Sequence, residues 1–156
     1  MRIRLVSVGQ KMPRWVMEGF DDYARRLPPE CALQLVEVPA SARRKGADLA
    51  RLIEEEGRRM LAAIPDRSLV VALDVKGELW DTPTLASRLG QWMTEGVNPC
   101  LLVGGPEGLA PACLARADLR WSLSPLTFPH PLVRVILAEQ LYRAWSLLRG
   151  HPYHRE

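Results

Sequence analysis

The sequence predicts an α/β fold built on an open, mostly parallel sheet flanked by helices. Five short apolar segments alternate with stretches of helical periodicity, which is the order that βαβ units produce. Residues 69–73, LVVAL, are apolar without interruption, which indicates a strand buried on both faces of a parallel sheet. The chain has 156 residues and no internal repeat, so we expect one domain spanning residues 1–156.

The beginning of the chain predicts a strand, a helix and a second strand. Residues 3–8 form an apolar strand that is closed by Gly9. Pro13 suits the start of a helix that ends before Pro28, because proline fits the first turn and terminates what precedes it. Residues 33–38 are again apolar and short, as expected for a strand.

The next helix is predicted over residues 47–64. Its apolar side chains recur at helical spacing against many charges, which indicates an amphipathic surface helix. Glu54 with Arg58 and Glu55 with Arg59 are spaced by four residues, so we expect both pairs to form surface ion pairs.

A small basic loop, residues 41–46, precedes that helix and contains Arg43, Arg44 and Lys45. Two interpretations stay open. The loop is either simply solvated or it contacts nucleic-acid phosphates, since cationic side chains displace condensed counterions. Salt-dependent RNA binding distinguishes the two.

The middle of the chain predicts a third helix and a fourth strand. The apolar strand ends in a loop at residues 74–77, after which Thr82 and Pro83 suit an N-cap and first turn. The helix runs to Gly96. Residues 100–103 form a buried strand that breaks into the glycine-rich sequence GGPEG.

The last third predicts a short strand, a stiff loop and a long helix. Residues 119–123 form the strand, and the three prolines that follow exclude regular structure from residues 124–131. Pro131 suits the first turn of a helix over residues 132–148 that is apolar on nearly every face. Gly150 ends it, before the tail HPYHRE.

Three loops are predicted at the carboxyl ends of strands, where open α/β sheets bind ligands. They comprise residues 74–77, 104–108 and 124–130, and they form our candidate pocket. The sequence GGPEG is neither GxGxxG nor a phosphate-binding loop ending in Lys-Ser/Thr, so the usual dinucleotide and triphosphate interpretations fail.

Composition excludes several classes of protein. Cys31, Cys100 and Cys113 lie far apart with no CxxC, which argues against a disulfide framework and against a metal site. No apolar run approaches the roughly 20 residues of a membrane span, and the N-terminus lacks a secretory pattern. We therefore expect a cytoplasmic protein with no membrane and no metal. The net charge of +3 permits a nucleic-acid partner without requiring one.

Several motifs together resemble the ribosomal RNA large-subunit methyltransferase H family of the SPOUT superfamily. They are GGPEG, SLSPLTFPHPLVRV, EQLYRAW and PYHRE, together with VGQKMPRWVMEGFDDYARRLP, the pair LD at Leu73 and LWDTP. The resemblance spans the whole chain. It implies a SPOUT-type sheet with a deep C-terminal trefoil knot, whereas composition alone favours an unknotted doubly wound fold because threaded chains are rare.

The resemblance implies S-adenosyl-L-methionine as the cofactor, held in a bent pose by the loops at the strand ends. Carried over by motif, the cofactor contacts are Leu73, Gly104, Gly105, Leu123, Ser124, Pro125, Leu126, Thr127 and Phe128. Such a ligand needs apolar walls around its adenine and has no phosphate that requires a basic cradle.

The resemblance also implies an acceptor, N3 of a pseudouridine in helix 69 of 23S ribosomal RNA (the position 1915 type), within the assembled ribosome. This imide nitrogen must lose its proton, so a base or an anion-stabilising group is expected near the methyl group. The candidates are His130, Glu139, Arg143, Tyr153, His154 and Arg155.

Each candidate has a plainer interpretation. His130 lies between two prolines, where a hydrogen bond at the helix entry is enough to explain it. Glu139 and Arg143 are spaced as a helical ion pair, and terminal residues such as Tyr153 are often disordered. A tail with an aromatic ring, an imidazole and a guanidinium instead suits stacking on a base and pairing with phosphate.

The resemblance implies a homodimer in which one protomer's tail completes the other's active site, and the all-round apolar last helix offers surface for such a partner. Two other functions stay open on the sequence. One is a noncatalytic ribosome-assembly or RNA-binding factor, which would bind RNA without binding the cofactor. The other is a SPOUT methyltransferase acting on transfer RNA.

Overall fold

A computed structural model describes residues 1–155 as alternating strands and helices. In chain order the elements are β1 (Arg2–Val8), α1 (Arg14–Ala24), β2 (Ala32–Val38), α2 (Leu49–Ala62), β3 (Leu69–Leu79), α3 (Thr82–Glu95), β4 (Pro99–Val103), α4 (Pro111–Arg116), β5 (Leu119–Ser122) and α5 (His130–Arg149). Short 3₁₀ turns follow α1 at Pro29–Cys31 and α5 at Pro152–Arg155. Glu156 lies outside the described residues.

The five strands form a single sheet in the order β2-β1-β4-β3-β5, and every strand pair is parallel. The predicted open, parallel α/β sheet flanked by helices is therefore confirmed. The C-terminal trefoil knot stays a prediction of the resemblance.

Helices cover both faces of the sheet. Successive side chains of a strand point to opposite faces, so each central strand contributes to two cores. Leu5 and Leu101 face one core, which they share with side chains of α1, α3 and α5. Their neighbours Val6 and Leu102 face a second, smaller core with residues of α2 and α4. The central strands are thus buried on both sides, as their uninterrupted apolar sequences predict.

Strand β3 is longer than its apolar sequence indicates. The predicted loop at residues 74–77 is a bulge inside the strand, since Leu73 and Glu78 both pair with Trp121 of β5. A Cβ on Gly77 would lie 2.7 Å from the carbonyl carbon of Arg120, so only glycine allows the two backbones to approach this closely. Pairing with β5 extends the strand through residues 74–79, where the uninterrupted apolar sequence has ended.

Helix starts differ from the predictions by one or two residues. Asp81, rather than Thr82, is the N-cap of α3, and its carboxylate accepts a 2.9 Å hydrogen bond from the backbone N–H of Thr84. Asp48 plays the same role at the start of α2. Helix α5 starts at His130, ahead of Pro131, and ends as predicted at Gly150, whose φ is +67°.

One of the two predicted ion pairs on α2 is wrong. Arg58 donates to Glu54 at 3.1 Å, as expected. Arg59 turns instead to the carbonyl oxygen of Pro39 and to the hydroxyl of Ser41, at 2.9 and 3.1 Å. No helix in residues 1–155 is long and apolar enough to cross a membrane.

Candidate active site

A cavity of about 380 Å³ opens beside the bulge in β3 and at the carboxyl ends of β4 and β5, next to the start of α5. The three loops predicted to form a pocket contribute to its wall. Eight of the nine predicted cofactor contacts line it, namely Leu73, Gly104, Gly105, Leu123, Ser124, Leu126, Thr127 and Phe128. Pro125 belongs to the same loop but does not line the cavity. The volume of the cavity falls within the usual range for small-molecule sites.

Residues 104–108, which we call the glycine loop, form one wall through their backbone. The N–H of Gly108 donates to the carbonyl oxygen of Gly105 at 3.0 Å and closes a tight turn. Gly108 has a φ of +85°, which favours glycine, and a Cβ on Gly104 would lie 2.4 Å from the Gly108 carbonyl carbon and oxygen. The sequence GGPEG therefore has glycine where the turn leaves no space for a side chain.

The loop after β5 forms the opposite wall and is held by its own serines. Ser122 donates to the carbonyl oxygen of Ser124 at 3.1 Å, and the Ser124 hydroxyl accepts from the backbone N–H of Leu126 at 3.0 Å. These bonds fix a proline-rich segment that cannot form regular structure. Leu126 is 68% exposed at the mouth of the cavity.

His130 is the one predicted catalytic residue that lines the cavity within the described chain. Its Nε2 atom lies 3.6 Å from the position that a Cβ on Gly9 would occupy. Burial lowers the pKa of His130, and the positive charges of Arg134 and Arg43 lower it further, although Glu56 and Glu107 oppose the shift. The imidazole is therefore mainly neutral at pH 7 and able to accept a proton.

Glu139, Arg143 and Tyr153 form a second cluster away from the cavity. Arg143 Nε and the Tyr153 hydroxyl both donate to Glu139 Oε1, at 2.7 and 3.0 Å. Glu139 lies nine residues after His130 on α5, which is about 14 Å along a helix. Residues 152–155, including His154 and Arg155, form a 3₁₀ turn that continues this cluster. A single chain therefore does not bring all six predicted catalytic residues together.

Arg134 connects the start of α5 to the sheet. It is 1% exposed, and it donates to Ser7 Oγ at 3.1 Å, to Glu37 Oε2 at 2.7 Å and to the Gly9 carbonyl oxygen at 2.8 Å. A buried guanidinium is stable only with such partners. The ion pair and hydrogen bonds fix the helix start, and with it His130.

Arg43 of the basic loop forms ion pairs within the chain, and its side chain stays 28% exposed. Its guanidinium donates to Glu56 of α2 and to Glu107 of the glycine loop. These two hydrogen bonds raise the pKa of Arg43 above its usual range. Arg44 and Lys45 are exposed, so the two interpretations stay open for them.

Four further lining residues escaped prediction: Val103, Trp121, Ser122 and Val133. All belong to strands or to α5, and sequence patterns mark loops as binding sites more readily than element ends. Trp121 stacks on Trp80 at a centroid distance of 4.9 Å, which supports the cavity from behind. For the three strand residues, the sequence signal that could have identified them was their position at the carboxyl end of a strand.

Comparisons with known proteins agree with this fold. A methylase family protein of Haemophilus influenzae Rd KW20 aligns with a TM-score of 0.57 at 13% identity, covering 97% of this chain and 69% of that one. A putative methylase family protein of Neisseria gonorrhoeae aligns at 0.54 and 12%, covering 90% and 81%. At such low identity these likenesses show the fold alone. The family profile described as "Predicted SPOUT methyltransferase" matches residues 1–154, which defines the class of protein.

Sequence relatives narrow the class. Three proteins named "Ribosomal RNA large subunit methyltransferase H" are 67%, 64% and 58% identical, from Thioalkalivibrio sulfidiphilus, Alkalilimnicola ehrlichii and a Marinomonas species. The alignments cover 99% or more of both chains in each case. The chain belongs to the ribosomal RNA large subunit methyltransferase H family of SPOUT methyltransferases.

SPOUT methyltransferases take their methyl group from S-adenosylmethionine, so the predicted cofactor is confirmed for the family. The cavity suits this ligand, which carries a sulfonium and an ammonium but no phosphate. Among the lining residues in the described chain, Asp74 and His130 are ionisable and none is lysine or arginine. In residues 1–155 no group of three or more His, Cys, Asp or Glu is placed to hold a metal.

Proposed function

We propose that this protein transfers the methyl group of S-adenosylmethionine to N3 of a pseudouridine in helix 69 of 23S ribosomal RNA, within the assembled ribosome. The observation that carries the proposal is the cavity. Most of the surface that lines the cavity is apolar, the backbone of the glycine loop forms one wall, and the imidazole of His130 is neutral at pH 7. The chain that forms it belongs to a ribosomal RNA methyltransferase family.

The donor is proposed to lie between the glycine loop and the loop after β5, in contact with the eight predicted residues that line the cavity and beside Pro125. The bound sulfonium supplies an electrophilic methyl group and a neutral leaving group. Leu73, Leu123 and Phe128 offer apolar surface to an adenine, while the glycine loop offers backbone groups. The carboxylate of Asp74 offers the opposite charge to a cationic ligand.

The chemistry that the protein must supply is alignment and removal of one proton. During transfer the S–CH₃ bond breaks, an N–CH₃ bond forms, and the N3 proton leaves to a base. His130 is our candidate for that base because it lines the cavity and its lowered pKa leaves the imidazole neutral at pH 7. The hydroxyl of Tyr153 is a poorer one, since burial raises its pKa well above the usual range.

Glu139, Arg143, Tyr153, His154 and Arg155 enter this proposal through a second copy of the chain. Glu139 lies about 14 Å along α5 from His130, and Arg143 and Tyr153 donate to it, so we propose that a homodimer places one protomer's tail beside the other's cavity. Arg143 and Arg155 then offer charge to an RNA phosphate, and Tyr153 offers a ring for stacking. A cytoplasmic location follows from a ribosomal substrate.

The test uses purified full-length protein with three substrates: ribosomes, protein-free 23S RNA and transfer RNA. We expect S-adenosylmethionine to bind in calorimetry, methyl groups to enter ribosomes only, and nucleoside mass analysis to find N3-methylpseudouridine. Light scattering should give twice the mass of one chain. Methylation of transfer RNA would overturn the substrate, and RNA binding without donor binding would indicate a noncatalytic factor instead.

A further inference from the structure

The ion-pair network around Arg43 joins helix α2 to the glycine loop from outside the cavity. Arg43 Nη2 donates to Glu56 Oε1 at 3.2 Å and also to the carboxylate of Glu107. Nη1 of the same guanidinium donates to the carbonyl oxygen of Ser41 at 2.7 Å. Arg43 therefore bonds three separate segments of the chain at once.

One end of this network is fixed in the protein interior. Glu56 is 3% exposed in α2, and its Oε2 also accepts a 2.9 Å hydrogen bond from the backbone N–H of Ser41. A buried carboxylate requires such partners, because leaving its charge unpaired is costly. A Cβ on Gly57 would lie 2.5 Å from Cβ of Ala110, so α2 also packs tightly on the segment after the glycine loop.

The other end is the tip of the glycine loop. Gly104, Gly105, Pro106 and Gly108 line the cavity, whereas Glu107 does not. The loop thus has two sides, with backbone toward the cavity and the Glu107 carboxylate toward Arg43. The Arg43 and Glu107 side chains are each 28% exposed, so solvent partly screens their attraction.

The hydrogen bond between Gly105 and Gly108 closes the turn but does not set where the turn lies relative to α2. The pair formed by Arg43 and Glu107 connects the tip of this turn to α2 through Glu56. Gly105 confirms how close the arginine comes, since a Cβ there would lie 3.6 Å from Arg43 Nη2 and 3.8 Å from Glu56 Oε1. The guanidinium packs directly behind the backbone that lines the cavity.

We propose that Arg43 is a positioning residue for the methyl donor: by pairing with buried Glu56 and with Glu107, it fixes the glycine loop in the shape that binds S-adenosylmethionine. The inference rests on the proposed function, because it takes that molecule as the ligand. It assigns to Arg43 a role different from contact with RNA phosphate, the interpretation that the basic loop suggests.

The test compares calorimetric dissociation constants for S-adenosylmethionine and S-adenosylhomocysteine among Glu107→Ala, Arg43→Ala and the double variant. We expect Glu107→Ala to bind both ligands about 2- to 5-fold more weakly, the range for loss of one partly screened ion pair. The double variant should bind no more weakly than Arg43→Ala, because both changes break the same connection. In ribosome methylation the KM for the donor should rise while kcat at saturating donor stays near wild type.

The melting temperatures of the variants distinguish a loss of loop positioning from a loss of folded protein. Arg43→Ala leaves Glu56 buried without its arginine and should lower the melting temperature, whereas Glu107→Ala keeps the pair formed by Arg43 and Glu56 and should melt near wild type. Arg43→Lys should recover part of the donor affinity, since an ammonium keeps the charge but cannot bridge both carboxylates as a guanidinium does. Arg44→Ala, an exposed neighbour, and Arg58→Ala, an exposed α2 ion pair, are matched controls that should bind as wild type.

Wild-type donor affinity in Glu107→Ala, or strictly additive losses in the double variant, would overturn the proposal. So would an Arg43→Ala variant that binds the donor normally but loses salt-dependent affinity for ribosomes, since that result assigns Arg43 to phosphate contact. Failure of the wild-type protein to bind either ligand would instead overturn the proposed function, so the two failures are distinguishable.

Discussion

The hydroxyl group of Tyr153 donates a 3.0 Å hydrogen bond to Glu139 of the same chain. The bond folds the C-terminal turn onto α5, and the Tyr153 ring lies 4.7 Å from that of Tyr142. Glu139 also accepts from Arg143 and from Gln140, so its carboxylate is the centre of this cluster. Side-chain contacts within the chain therefore hold Tyr153 against α5.

The first prediction concerns this tail. Tyr153→Phe, Glu139→Ala and removal of residues 153–156 should each lower kcat/KM for ribosome methylation about 10-fold or more, as expected when a hydrogen bond to a charged group is lost. Residues 153–155 have no fully buried side chain, so each variant should still unfold in one cooperative transition, at a melting temperature only a few degrees lower. Radiolabelled methyl transfer and thermal denaturation provide the two measurements. Wild-type turnover in all three variants would remove the tail from the active site.

The second prediction concerns pH. Burial, Arg134 and Arg43 hold the pKa of His130 below its ordinary value of 6.5, so the unfolded chain binds more protons there than the folded one. This contribution to stability is fully present above about pH 6.5 and is lost as pH falls through 6.5 toward the folded pKa. Chemical denaturation between pH 8 and pH 5 should therefore show less pH dependence in His130→Gln.

To act as a base, His130 must be neutral, so the methylation rate should decline as the pH is lowered below 6.5. We call this decline the acid limb. His130→Gln should lose activity about 100-fold or more, the usual contribution of a general base, and should lose this limb as well. An unchanged pH profile in His130→Gln would assign proton removal to another group.

A matched pair of glycines tests the loop geometry. Gly104→Ala places a Cβ 2.4 Å from the Gly108 backbone and should open the turn, whereas the nearest atom to a Cβ on Gly105 is Val8 Cγ1 at 3.4 Å. We expect Gly104→Ala to abolish calorimetric binding of S-adenosylhomocysteine and Gly105→Ala to bind within about threefold of wild type, less than 1 kcal/mol. Equal affinities in the two variants would show that the turn does not shape the site.

The buried arginine of α5 should be among the most sensitive positions for stability. Arg134→Met removes the donor to Gly9 and the partner of Glu37, and we expect a loss of about 3–5 kcal/mol in the free energy of unfolding. Arg14→Ala, which breaks an exposed pair with Glu18, should cost about 0.5 kcal/mol or less. Urea denaturation of both variants measures the difference, and similar losses would show that Arg134 does not anchor the helix.

Much of the fold was readable from the residues because burial leaves a direct mark on sequence. Leu69 to Leu73 sit in the sheet as their apolar run predicts, and Gly150 ends α5 in the left-handed region. The predictions failed where contact with another strand decided the secondary structure, and where an element was too short to show a period. Residues 74–79 became strand because β5 lies beside them, and α4 has only six residues, too few for a periodic signal.

The sequence by itself determined the parallel sheet, the loops after β4 and β5 and the family, because apolar periodicity, glycine positions and motif order are properties of the chain alone. Only the tertiary structure decided what Arg43 and Arg134 contact. Their partners Glu107 and Glu37 lie 64 and 97 residues away along the chain. A charged side chain has no preferred partner until folding brings one within hydrogen-bonding distance and removes the water around it. The same holds for the cluster of Glu139 and Tyr153, which folding separates from His130.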